Sequence, residues 1–149
     1  MRRVLFILLF LVGCAKKQEK GAPPTPQPPT PQEQILASDQ ALIDLTNKET
    51  GQVDVIIKRY DQDKNTELKL YLDKLGDDAT KWTQDQKNTV AKWTSPLYSS
   101  SVIVLDDLLR LTLTTEGGRK YLSDEVTYFR QEKIDNYTLL QSAGATPAY

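Results

Sequence analysis

The sequence predicts an all-α protein, an antiparallel bundle of three to five helices over residues 33–143, preceded by a disordered proline-rich tether. Apolar side chains recur in steps of three and four through most of that span, which lines them up on one face of a helix. The one run with strand-like branching, Val102-Ile103-Val104-Leu105, belongs to a long segment that lacks the alternation of a half-buried strand. Glycine, proline and capping residues punctuate the periodic stretches where helices would begin and end. About 110 residues suffice for one domain with its own core.

Ahead of the bundle, Arg2 and Arg3 introduce an unbroken apolar run, Val4 to Val12, with the charged and hydrophobic regions of an export signal. As a helix that run covers only about 14 Å, too short for a hydrocarbon core of about 30 Å. It leads into Leu11-Val12-Gly13-Cys14, where Cys14 is the single cysteine of the chain. This box resembles the lipobox of bacterial lipoproteins, and the resemblance covers residues 1–14 alone. It implies removal of residues 1–13, a diacylglycerol thioether on the Cys14 sulfur, and a fatty acyl group such as palmitate on the new amino terminus. Ala15 stands where a signal for inner-membrane retention resembles an Asp, so the resemblance also implies the outer membrane, at its periplasmic face or the cell surface. Each buried acyl CH₂ contributes about 0.8 kcal/mol, and two or three chains hold a protein on a membrane. On this reading Cys14 is a site of modification, and the membrane is the first partner.

Composition narrows the remaining functions. Of 19 Lys and Arg, Arg2 and Arg3 fall in the leader, so the mature chain meets its 20 Asp and Glu with a net charge of about −3. No basic field exists for nucleic acid, and export removes the chain from the compartment where such partners are common. Histidine is absent, which takes away the commonest general base and catalytic metal ligand and excludes Ser-His and Cys-His nucleophiles. With Cys14 acylated no intrachain disulfide can form, and stability has to come from packing.

The tether, residues 14–32, carries Lys16, Lys17 and Lys20 close to the anchor, where headgroup attraction is partly cancelled by Glu19. Pro23-Pro24-Thr25-Pro26-Gln27 then repeats as Pro28-Pro29-Thr30-Pro31-Gln32. Proline fixes φ and removes a backbone donor, so the repeat is expected as an extended polyproline II spacer of about 30 Å. Such a run can also dock in an aromatic groove, but an anchor on one side and a domain on the other already account for a spacer.

In the first helical region, Ile35, Leu42, Leu45 and Thr46 share a face, and Val53, Ile57, Tyr60, Lys64, Leu68, Tyr71 and Leu75 continue it. Gly51 suggests a break, yet the apolar phase runs across it, so one helix over 33–75 and two helices are both open. Gly76 supplies a helix end and Asp77-Asp78 the next cap. Asp61-Gln62-Asp63-Lys64-Asn65 opens like a calcium loop, but Thr66 replaces the turn glycine and Leu72 the closing bidentate Glu, so no metal is expected.

Trp82 and Trp93 recur eleven residues apart in Lys-Trp-Thr triplets, nearly three turns, which places both on one face of a helix over 78–94. They read as anchors of a polar helix to the core, with the alternative of paired stacking platforms for a glycan or small ligand. Ser95-Pro96 is expected to cap a new helix. In it Leu97, Val102, Val104, Leu105, Leu108, Leu109, Leu111 and Leu113 cover some 200° of the wheel, which marks the centre of the bundle. Asp106 and Arg110 form an i, i+4 surface pair, and Gly117-Gly118 are expected to end this helix. The last helix carries Leu122, Val126, Phe129, Tyr137 and Leu140 on one stripe with Lys133 snorkelling from it, and Gly144 and Pro147 close it before a short tail, 144–149.

Glu67, Asp61 and Asp63 are the best acidic group for an enzyme, but nothing in their context specifies a reaction. The sequence therefore points to a non-catalytic helical module of the cell envelope that assembles with a protein partner and needs no cofactor. A glycan- or ligand-binding lipoprotein using Trp82 and Trp93 is the alternative.

Overall fold

Thr30 opens the first helix, because its hydroxyl accepts from the Glu33 N–H at 3.3 Å while the Glu33 carboxylate accepts from the Thr30 N–H at 2.7 Å. This reciprocal cap is completed by Pro31 at the first helical position, where its missing N–H costs nothing. The end of the second Pro-Pro-Thr-Pro-Gln copy is thus helical, and the extended backbone expected through residue 32 gives way to helix after Thr30. The computed structural model describes residues 27–147, so the expected leader, Cys14 and most of the expected tether lie outside the described residues.

Four α-helices follow: α1 (Pro31–Ile57), α2 (Gln62–Leu75), α3 (Gln84–Leu109) and α4 (Glu116–Ser142), with a 3₁₀ turn at Ala79–Lys81. No strand occurs among the described residues, and the protein is an all-α helical bundle. The break between α1 and α2 falls at residues 58–61 and not at Gly51. A mid-helix glycine costs only about 1 kcal/mol, and Val53 beside it is fully buried. Asp61 caps α2 by accepting from the Lys64 N–H at 3.2 Å, and buried Tyr60 pins the corner to α4 through an edge-on contact with Phe129 at 5.3 Å.

Two further boundaries differ from the sequence expectation. Ser95-Pro96 does not start a helix: Thr83 caps α3 with Gln86 in a second reciprocal cap, and the helix runs through Pro96. Pro96 and Lys92 are both exposed, so the Lys92 carbonyl that loses its donor faces water, while Thr94 and Leu97 on the buried side hold the turns together. Nor do Gly117-Gly118 end a helix. α3 stops at Leu109, Leu113 plugs the core from the connecting segment, and Thr115 caps α4 by accepting from the Gly118 N–H at 2.9 Å. Gly144, at φ 71°, closes α4 as expected: the Ala145 N–H returns to the Leu140 carbonyl and the Gly144 N–H to that of Gln141.

α3 packs on each of the other helices, most extensively on α4, as the central helix of the bundle. The α3–α4 hairpin is antiparallel, with Tyr98 on Tyr137, and α1 then α2 lie end to end along one of its faces. The order of contacts shows this direction: Arg59 of the corner pairs with Asp107, and Tyr71 of α2 with Trp93, while along α4 Asp54 meets Tyr121 and Tyr60 meets Glu132. α1 is therefore parallel to α4 and antiparallel to α3. The largest fully buried side chains, Phe129, Leu68, Leu97, Leu108 and Leu140, fill the space between these layers. On α4 the buried stripe passes through Asn136, whereas Tyr137 is turned outward at 36 % exposure; the stripe drifts by one residue from the sequence reading.

Candidate functional site

The described part of α1 divides into two halves with different surroundings. From Thr46 onward it lies on the hairpin, but every residue of 31–45 is exposed, so about 22 Å of helix projects past the α3–α4 turn. Ile35, Leu36, Leu42 and Ile43 on this arm are each more than half exposed. Ile35 stands five full turns, at about 3.6 residues each, before Val53. The face that the bundle buries therefore continues without partner along the arm.

Where the arm meets the bundle, the Glu49 carboxylate is buried against the start of α4. It accepts from the N–H and hydroxyl of Thr114, both at 2.7 Å, from the Thr115 N–H at 3.0 Å, and from the Thr115 hydroxyl. These donors, the Thr114 and Thr115 hydroxyls first, hold its carboxyl down at about 2. A negative charge at a helix N-terminus is also favoured by the helix dipole. All of its lone pairs are in use, so Glu49 anchors α1 on α4 and has no capacity left for acid-base chemistry. The sequence reading missed it, although a Glu in phase with Thr46 and Val53 on an apolar face was the available signal.

A second polar cluster ties the α1–α2 corner. The Tyr60 hydroxyl donates to Glu132 at 2.6 Å, and Asn65 donates to both at 3.2 Å. Burial, then the Glu132 carboxylate, raise the Tyr60 phenol above its usual range. Beside it an open groove of about 560 Å³ between α1 and α4 is lined by Asp54, Lys58, Tyr121, Asp124, Glu125 and Tyr128 among others. Asp54 accepts from the Tyr121 hydroxyl at 2.7 Å, which pushes that phenol up to about 12, and Asp124 pairs with Lys120 at 2.6 Å. Burial raises Glu125. Within this lining Asp54 and Tyr121 are tied to each other.

Along the flank of the hairpin formed by α3 and α4, two depressions of about 280 and 240 Å³ share Lys133, and the larger reaches round to Asp107, the partner of Arg59 at the α1–α2 corner. The α4 side chains that meet α1 and the α1–α2 corner, Tyr121 and Glu132, point to the opposite flank from Ile134 and Tyr137. Tyr98, Val102 and Leu109 supply the α3 side of this apolar groove.

The residues singled out in the sequence are dispersed. Trp82 ends the 3₁₀ turn, outside α3, so it and Trp93 do not share a helix. The Trp82 indole is buried and donates to the Gly76 carbonyl at 3.1 Å, while Trp93 meets Tyr71 edge-on at 5.0 Å, half-buried. Both rings pack in or against the core. Asp61 spends its carboxylate on the α2 cap and on Lys64 at 3.2 Å, and no group of three acidic, His or Cys side chains suited to a metal ion occurs among the described residues. Asp106 and Arg110 pair at 2.6 Å. No helix among the described residues is long and apolar enough to cross a membrane.

Fold and surface together define a helical bundle with polar ties between its helices, an open polar groove between α1 and α4, and apolar surface along the arm and between α3 and α4. Comparison with protein-family models, with curated proteins and with solved structures finds no match in any of the three.

Proposed function

We propose that this protein is a lipid-anchored, non-catalytic interaction module of a bacterial envelope, held by acylated Cys14 at the outer membrane and working by contact with a protein partner. The observation that carries the contact half is the arm: Ile35, Leu42 and Leu45 extend a buried helix face into solvent. Contiguous apolar side chains left exposed on a folded domain mark a site of association. The anchor half rests on Leu11-Val12-Gly13-Cys14 after a charged and apolar leader. The chemistry of the bundle supports the same reading, since its buried carboxylate serves as an anchor between helices.

Expression of the full chain with a metabolic fatty-acid label tests the anchor. The chain should mature, take up label and fractionate with the outer membrane, and Cys14→Ala should leave a larger unlabelled precursor. Normal maturation and membrane retention of Cys14→Ala would overturn it. Crosslinking in intact cells tests the contact half, which fails if arm positions capture no protein.

A further inference from the structure

One chain carries two unpartnered apolar surfaces, the arm stripe of α1 and the α3–α4 groove, and they lie where neither reaches the other. The arm is an uninterrupted extension of α1, whose body occupies the opposite face of the hairpin. We propose that the arm of one copy docks in the α3–α4 groove of a second copy, so that two chains exchange arms. This deepens the contact half of the proposed function by naming the partner, and it rests on that half alone.

Size, charge and symmetry favour this occupant. From Ile35 to Leu45 the stripe runs about 15 Å, and from Tyr98 to Leu109 the groove runs about 16 Å, at 1.5 Å per residue. The arm bears Glu33, Asp39 and Asp44 and no Lys or Arg. In the groove, Asp106 is neutralised by Arg110 and Asp107 by Arg59, while Lys133 makes no ion pair among the described residues. An acidic-edged apolar helix thus meets an apolar groove whose one charged lining group outside an ion pair is the Lys133 ammonium. Asp39 lies one turn from Ile35 and from Ile43, at the edge of the stripe that would face Lys133. Pairing arm with arm would instead set three carboxylates against three. Reciprocal exchange across a twofold axis also doubles the buried surface and closes the assembly.

The test co-expresses two differently tagged full-length chains, one Leu42→Cys and one Ile134→Cys, and treats intact cells with a short bismaleimide. Both positions are more than half exposed, at 57 % and 56 %, so neither substitution disturbs the core, and circular dichroism checks the fold. The expected result is a crosslinked pair carrying both tags, at least tenfold above a control pairing Leu42→Cys with Lys69→Cys on α2. In the purified acylated chain in detergent, Leu42→Asp or Ile134→Asp should each raise the dimer dissociation constant at least tenfold. Crosslinks only between Leu42→Cys copies, only to a different protein, or no stronger than the control would each overturn the proposal. Loss of acyl label with the mixed crosslink intact would fail the anchor alone, and capture of a different protein would fail this inference while leaving the contact reading standing.

Discussion

A β-carbon on Gly118 would come within 2.3 Å of the Glu49 Oε2 atom, so the first turn of α4 and a carboxylate of α1 share space that only glycine leaves open. The lock between these helices depends on that close approach. Gly118→Ala must push Glu49 off its donors and should destabilise the fold by about 1–3 kcal/mol, the usual range for overpacking. Gly117→Ala meets the Thr46 methyl at 2.9 Å, a single atom on a half-buried side chain, and should cost less. Urea unfolding of the two variants ranks them, and equal losses would count against the lock.

The same carboxylate gives the fold a defined acid sensitivity. Its folded value of about 2 lies below the ordinary 4.5 because Thr114 and Thr115 donate to the ionised form. A depressed carboxyl contributes stability that is full above about 4.5 and is lost as pH falls toward 2. Glu49→Gln should lower the urea midpoint at neutral pH and converge with the native chain near pH 2. Parallel curves across that window would assign the acid response elsewhere.

Tyr60→Phe keeps the buried ring on Phe129 but removes the hydroxyl that donates to Glu132. About 1 kcal/mol should be lost, against about 3–5 for truncation of the aromatic ring to Ala. Burial and Glu132 raise this phenol above its usual 10.0, so its contribution is full below pH 10 and fades as pH rises through the folded value. Ultraviolet titration of the native chain should show tyrosines that resist ionisation, Tyr121 and, most resistant, Tyr60, and Tyr60→Phe should remove the last step while leaving the others in place.

Two residues inside helices oppose the helix and can be improved. Gly51 has helical φ, and a methyl group added there would meet nothing within 4 Å, so Gly51→Ala should stabilise by about 0.5–1 kcal/mol. Pro96→Ala would return a donor to the Lys92 carbonyl and should stabilise by about 1 kcal/mol or more. Thermal unfolding reads both, and a loss at Pro96 would mean that a bend there is needed for packing.

The helical class and the core role of α3 were legible because periodicity survives whatever the helices pack against. Helix ends were less so. Thr30 and Thr83 were readable as caps from Glu33 and Gln86 three residues on, but Pro96 and Gly117-Gly118 carry stronger local signals that tertiary packing overrides. Pro96 is tolerated because its defect faces water, and the glycine pair serves an approach between residues nearly seventy positions apart, about which local sequence says nothing. The two tryptophans mislead for a similar reason: an eleven-residue interval places two side chains on one face only if both belong to one helix, and Thr83 starts α3 after Trp82. The α3–α4 groove was not visible at all, since Ile134 and Tyr137 become neighbours of Tyr98 only through the hairpin.

Because α1 runs in the same direction as α4, the chain enters the bundle at one pole and leaves α4 at the other. Tension between the two ends would load α1 against α4 lengthwise, in shear, across the Glu49, Asp54 and Tyr60 ties together. Such a body resists pulling far better than one whose helices can be peeled apart one contact at a time.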